Sequence, residues 1–182
     1  MNKNRAIFID RDGVINHDYG YVYKWADFKF IKGCIEGLIL LQNSGFLLFI
    51  VTNQSGIGRG YYTENDFFEL SRHMLDYLEK NGVSITEIYH CPHTRYDLCF
   101  CRKPAPGLTL RAQKDHNLDL ENSYMIGDNL SDVLAGRQAG VGMQILVGRK
   151  NSFANEKPAT YSVAENLLEA AKQIVIKSAS VL

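Results

Sequence analysis

Short apolar runs alternate with amphipathic stretches along the whole chain. Arg5 to Asp10 (RAIFID) predicts a buried strand. Ile35, Leu38, Ile39, Leu40 and Leu41 then have helical spacing, and Phe46 to Thr52 (FLLFIVT) returns to strand. A polar, Tyr-rich stretch from His17 to Lys29 separates the first strand from the first helix. Thr63-Glu64-Asn65-Asp66 is a helix start signal that predicts a helix to about Lys80, with a strand at Glu87 to His90 after it. Phe67, Phe68 and Met74 on that helix fall at spacings normal for packing and are expected in the core. Beyond a cysteine-rich segment come a helix near Leu108 to His116, a strand at Ser123 to Gly127, a helix near Ser131 to Ala139 and a strand at Met143 to Val147. A short strand at Thr160 to Val163 and a helix near Glu165 to Ile176 close the pattern.

Strand and helix in alternation build a mainly parallel sheet with helices on both faces. The expected fold is a Rossmann-like three-layer α/β/α sandwich. The 182 residues suit a single domain, 1–182, and neither repeats nor linkers divide it. The intervals from Asp12 to Thr52 and from Thr52 to Lys103 leave no room for a large cap domain.

Composition narrows the function classes. The chain is 46% hydrophobic and 22% charged, with 20 basic and 20 acidic side chains, which argues against disorder and against a polyanion-binding surface. Neither a secretion signal nor an apolar run of the ~20 residues needed to cross a bilayer is visible. The expectation is a soluble, cytoplasmic protein with no nucleic-acid or membrane partner. Without a dimer motif, a monomer is expected.

In open parallel sheets ligands bind beyond the carboxyl ends of the strands, so the residues that follow each strand carry the information. The first strand ends in Asp10-Arg11-Asp12-Gly13, a carboxylate pair able to hold a hard cation while one acid attacks and the other moves a proton. A polar turn is the competing reading. The second ends in Thr52-Asn53-Gln54-Ser55-Gly56, with Gly58, Arg59 and Gly60 beyond, a cradle for phosphate oxygens or an ordinary glycine-rich turn. Arg102-Lys103-Pro104 sets two cations ahead of a helix, where they neutralise phosphate or are simply solvated. Asp128, directly after the strand at Ser123 to Gly127, would complete an oxygen cage for Mg²⁺, with Asp132 orienting it from behind, unless Asp128 or Asn129 merely caps the helix. Each bland reading is adequate alone; the four together, all at predicted strand ends or the loops beyond, favour catalysis.

Three of the four cysteines crowd into one segment. Cys91, His93, Cys99 and Cys101 supply three thiols and an imidazole, a donor set for a closed tetrahedral Zn²⁺ site. A redox switch or chance clustering are the other readings. Zinc here would staple a loop with little core of its own directly before Arg102 and Lys103. A nucleic-acid-binding zinc ribbon is disfavoured by the neutral net charge. His90 beside the cluster is expected to be structural.

Asp10-x-Asp12-Gly13, Thr52, Lys103 and Gly127-Asp128-x-x-x-Asp132 resemble the four motifs of the haloacid dehalogenase superfamily of phosphatases. The resemblance implies that Asp10 forms an aspartyl-phosphate, that Asp12 is the general acid and then base and offers its backbone carbonyl to Mg²⁺, and that Asp128 is the remaining protein ligand. Thr52 and Lys103 would hold phosphoryl oxygens. Within the superfamily, Phe8 to Asn16, the Asp18-Tyr19-Gly20-Tyr21 turn, Thr52 to Gly60 and Cys91 to Pro104 look like the D-glycero-D-manno-heptose 1,7-bisphosphate 7-phosphatases. That likeness implies a phosphorylated sugar substrate in nucleotide-activated heptose biosynthesis. It adds Arg11, Asp18, Tyr19, Gly20, Tyr21, Asn53, Gln54, Ser55, Arg59, Arg102 and Asn129 to the phosphate or substrate contacts; Asn129 stands where some of these enzymes carry lysine. The histidinol-phosphate phosphatases are similar in the same motifs and share the five-residue spacing from His93 to Cys99. A non-catalytic phosphate-binding module is the alternative from another class.

Overall fold

The structure is a computed structural model, and it describes residues 3–148 and 161–179. Six strands form one sheet: β1 (Ala6–Ile9), β2 (Leu47–Asn53), β3 (Glu87–Cys91), β4 (Tyr124–Gly127), β5 (Met143–Val147) and β6 (Ser162–Ala164). They lie in the order β3-β2-β1-β4-β5-β6, and every neighbouring pair is parallel. The helices are α1 (Cys34–Asn43), α2 (Ser55–Gly58), α3 (Glu64–Lys80), α4 (Gly107–His116), α5 (Leu130–Ala139) and α6 (Leu167–Ala179).

Parallel strands bury both faces, and the sequence of β1 divides accordingly. Ile7 and Ile9 face one core with Leu48 and Ile50 of β2, under Leu38 and Leu41 of α1, Met74 of α3 and Ile174 of α6. Ala6 and Phe8 face the other with Phe49 and Val51, under Leu108 and Ala112 of α4 and Ala139 of α5. This is the expected three-layer sandwich. Each fully buried Leu or Ile contributes about 1.5–3 kcal/mol through area removed from water, so the sheet is a rigid platform for whatever its strand ends carry.

The chain builds the sheet outward from β1 through β2 to β3, then crosses to the far side of β1 to lay down β4. That reversal opens a crevice between the carboxyl ends of β1 and β4. Asp10 and Asp128 immediately follow those two strands.

Three expectations change. The four-residue α2 is too short to leave a periodic signature in sequence, and it forms where the strand-end loop folds back on itself, with Arg59 N donating to Ser55 O at 3.1 Å. The last strand is β6 at Ser162–Ala164; Thr160, expected at its start, lies outside the described residues. Phe68 is not core: it is 52% exposed, while Phe67 and Met74 are buried. Adjacent helical positions point about 100° apart, so Phe67 and Phe68 cannot both face the sheet. Phe68 instead lines a groove of about 430 Å³ with Leu75, Ile85 and Ile88.

Candidate active site

Lys103 stands at the centre of the strand-end cluster. Its Nζ lies 3.0 Å from Asp10 Oδ1 and 2.5 Å from Asp132 Oδ1, and it donates to Val51 O at 2.7 Å. The side chain is buried. Burial works against its charge, but the carboxylates of Asp10 and Asp132 outweigh burial and hold the ammonium above its ordinary value. For Asp10 the balance differs: burial pushes its carboxyl up to about 7, opposed by Lys103 and reinforced by Asp132 and Asp12.

Asp10, Asp128 and Asp132 bring carboxylate oxygens to within 4.8 Å of one another. Hard oxygen donors at this density fit a small dication, which would offset the mutual repulsion that raises Asp10. The backbone makes the approach possible. Gly13 has φ +84, and a Cβ there would collide with the Asp128 carboxylate; a Cβ on Gly127 would collide with that of Asp132. Asp10 N is tied to the neighbouring strand by a 2.9 Å bond to Ile126 O.

Asp132 does more than the expected support from behind. Its Oδ2 accepts from Asn129 N at 3.1 Å, capping α5, while its Oδ1 pairs with Lys103. Asn129 Oδ1 completes the cap by accepting from Ser131 N at 3.1 Å. The expected substrate contact at Asn129 therefore sits on a side chain already committed to the helix start.

Asp12 is held in a polar network. Its Oδ1 accepts from Asn16 Nδ2 at 3.0 Å and its Oδ2 from Gln54 Nε2 at 2.9 Å. Gln54 Nε2 also donates to Thr52 Oγ1 at 2.8 Å, which leaves the Thr52 hydroxyl hydrogen free to be donated to an anion. Gln54 Oε1 accepts from Tyr62 OH at 2.6 Å. Burial pushes that phenol up to about 12, so it stays a donor. Arg11, expected among the substrate contacts, is 1% exposed and faces Asp12, Val22 and Gln54; the structure gives it an internal partner set.

The other expected contacts ring this centre. Asn53 holds Lys103 by its backbone, and Ser55 opens α2, with exposed Arg59 just beyond its end. Asp18 Oδ1 accepts from Gly20 N at 2.8 Å, and the turn presents Tyr19 and Tyr21 to solvent, Tyr21 edge-on to Tyr61 at 4.8 Å. Arg102 donates to His93 O at 3.2 Å. Asn16, Val22 and Tyr62 were not foreseen. Asn16 and Tyr62 act through the network at Asp12 and Val22 through a backbone carbonyl; Asn16 closes the Phe8 to Asn16 motif but was assigned no role there, and the other two carry no motif signature.

Cys91, His93, Cys99 and Cys101 place their ligand atoms within 4.8 Å of one another. Cys91 Sγ and Cys99 Sγ are 3.8 Å apart and His93 Nδ1 is 3.2 Å from Cys101 Sγ. Cys101 Sγ lies 3.1 Å from Cys91 Sγ, closer than the S···S edge of about 3.8 Å in a tetrahedron with Zn–S bonds of about 2.3 Å. Three thiols and an imidazole have the donor chemistry of a zinc site and would spread slightly around the ion. The loop is bonded to its surroundings: Gln54 N donates to Cys91 O at 2.7 Å and Gly58 N to Pro92 O at 2.9 Å. His90 stays outside the cluster, paired with Glu64 at 2.7 Å and packed on Phe67.

Residues 100–170 match the HAD-hydrolase-like family model. The D-glycero-alpha-D-manno-heptose-1,7-bisphosphate 7-phosphatase of Campylobacter jejuni is 51% identical over 148 residues, covering 81% of this chain and 85% of the relative. The chain belongs to the heptose-bisphosphate phosphatase family of HAD-like hydrolases. It is a phosphoric monoester hydrolase. The D-glycero-beta-D-manno-heptose-1,7-bisphosphate 7-phosphatase of Helicobacter pylori is 48% identical, over 81% of this chain and 86% of that one. The solved D,D-heptose 1,7-bisphosphate phosphatase of B. bronchiseptica, complexed with magnesium and phosphate, superposes with a TM-score of 0.88 at 30% identity, covering 95% of this chain and 99% of that one. Among the described residues no helix is long and apolar enough to cross a membrane.

Proposed function

We propose that the chain removes the 7-phosphate of D-glycero-D-manno-heptose 1,7-bisphosphate through an aspartyl-phosphate on Asp10, with Mg²⁺ as cofactor and Zn²⁺ as a structural ion. The chemistry rests on one observation above all: Lys103 Nζ, buried between Asp10 and Asp132 at the β1–β4 crevice. The substrate rests on the likeness to the Campylobacter and Helicobacter enzymes.

Asp10 attacks phosphorus in line with the ester oxygen. Its Oδ–P bond forms as the P–O bond to the sugar breaks, and the leaving oxygen keeps the electron pair and takes a proton from Asp12. Water then attacks the same phosphorus and gives a proton to Asp12, and the Asp10 carboxylate leaves. The sum is phosphate ester plus water to alcohol plus phosphate. Thr52 and Lys103 hold the equatorial oxygens, on which charge accumulates. Mg²⁺ held by Asp10, the Asp12 carbonyl and Asp128 supplies charge neutralisation when bound. Four Cys and His ligands would close the zinc site to substrate, so that ion acts on the fold of the loop ahead of Arg102 and Lys103.

The test compares phosphate release from both anomers of heptose 1,7-bisphosphate and from histidinol phosphate, in Mg²⁺ and in EDTA. A kcat/KM at least tenfold higher for a heptose bisphosphate, lost in EDTA, is the expected result. A preference for histidinol phosphate overturns the substrate, and activity retained by folded Asp10→Asn overturns the mechanism.

A further inference from the structure

We propose that Arg11 is a positioning residue for proton transfer: it fixes the setting of the Asp12 carboxylate and ties that setting to the Tyr-rich segment through Val22. The inference rests on the phosphatase reading above and concerns how that site is held. Expected as a substrate contact, Arg11 is instead the largest fully buried side chain among the described residues. Its Nε lies 3.1 Å from Asp12 Oδ2, and its Nη2 lies 2.9 Å from Oδ2 and 3.0 Å from Oδ1. The same Nη2 reaches Val22 O at 2.8 Å and Gln54 Oε1 at 3.3 Å, and the guanidinium rests over the Phe67 ring at 5.7 Å.

A buried ion pair adds little net stability over an apolar side chain of similar size. The consequence of this one is therefore where it holds Asp12. Asn16 and Gln54 also grip the carboxylate, and Asn16 Nδ2 reaches His17 O at the start of the Tyr-rich segment; Arg11 is the donor that reaches into the segment itself, at Val22 O. Val22 follows Tyr21, and both line a cavity of about 530 Å³ with Tyr19 and Tyr23. A substrate seated there moves the Val22 carbonyl, and Arg11 transmits the movement to the acid that must turn toward the leaving oxygen.

Positioning of an acid has a signature that general damage lacks. Nitrophenolate departs without a proton, whereas a sugar alkoxide needs one. With Mg²⁺ present, Arg11→Met should lose on the order of tenfold or more in kcat on heptose 1,7-bisphosphate beyond its loss on p-nitrophenyl phosphate. Arg11→Lys, which keeps the charge but not the fork, should show the same bias and covers the case in which the methionine variant does not fold. Equal losses on both esters at an unchanged thermal midpoint overturn the proposal. Wild-type protein inactive on both esters overturns the phosphatase reading itself, and the inference falls with it. The coupling has its own readout in Trp25, the single tryptophan, three residues after Val22. Inorganic phosphate with Mg²⁺ should change its emission in the wild type, and Arg11→Met should remove that change while phosphate still binds. An identical response in both proteins overturns the coupling.

Discussion

The side-chain amide of Asn53 grips the backbone of Lys103 from both sides, donating through Nδ2 to Lys103 O and accepting at Oδ1 from Lys103 N, each at 3.0 Å. Fifty positions of chain separate the two residues. The amide joins the end of β2 to the loop that carries the buried Lys103 ammonium, so the placement of Lys103 Nζ depends on a residue that need not touch a substrate.

Asn53→Ala removes both bonds and leaves a buried peptide partly unpaired, at a cost of about 1–3 kcal/mol. The larger effect is on rate, because a displacement of about 1 Å in a charge-stabilising group costs on the order of 100-fold. The expected outcome is a kcat lowered about 10- to 100-fold with a much smaller change in thermal midpoint. A kcat within twofold of wild type would show that the clamp is not what places Lys103.

Removing Lys103 should expose the repulsion it now offsets. Lys103→Met leaves Asp10 and Asp132 buried together without their shared cation, the situation in which breaking a buried pair costs about 3–5 kcal/mol. Mg²⁺ can replace part of the lost charge. The variant should therefore be inactive and should gain more thermal stability from Mg²⁺ than the wild type does; an equal gain in both would contradict the proposed sharing of the acids between lysine and metal.

The sheet and its order of elements were legible because strands buried on both faces leave continuous apolar runs, as RAIFID and FLLFIVT do. The strand-end acids, the threonine and the lysine were legible because the fold forces ligands to one edge of the sheet. Other features left no local trace. The Asn53 clamp joins a strand end to a distant loop, α2 is too short for a period, and Arg11, expected as a substrate contact, turns inward to Gln54 and the Val22 carbonyl, partners that nothing near it in sequence announces. Asn129 and Asp132 showed the opposite difficulty: capping and catalysis use the same residue types, and here Asp132 does both the capping and the lysine pairing.

The cysteine cluster predicts about one zinc per chain, measurable by metal analysis after dialysis. Cys99→Ser should lower the metal content and loosen the segment bonded to Gln54 N and Gly58 N, reducing kcat/KM through Arg102 and Lys103 while Mg²⁺ affinity changes little. A zinc-free protein with normal stability and turnover would assign the cluster no structural role.

The raised carboxyl of Asp10 gives a pH dependence with a definite sign. Its ordinary value is 3.8 and burial pushes it up to about 7, so without a dication the folded protein binds an extra proton between those values. Stability from that proton is complete below the ordinary carboxyl range and is lost as pH rises through about 7. Mg²⁺ needs the ionised form, so it must displace the proton below pH 7 and need not do so above it. The thermal shift produced by a fixed Mg²⁺ concentration should accordingly grow from about pH 5.5 to about pH 8, where Asp10 passes from mostly protonated to mostly ionised. Asp10→Asn, which has no proton to displace, should flatten that dependence as well as abolish turnover. A wild-type shift independent of pH across the window would mean that Lys103 already keeps Asp10 ionised, and that burial of the acid is offset before any metal arrives.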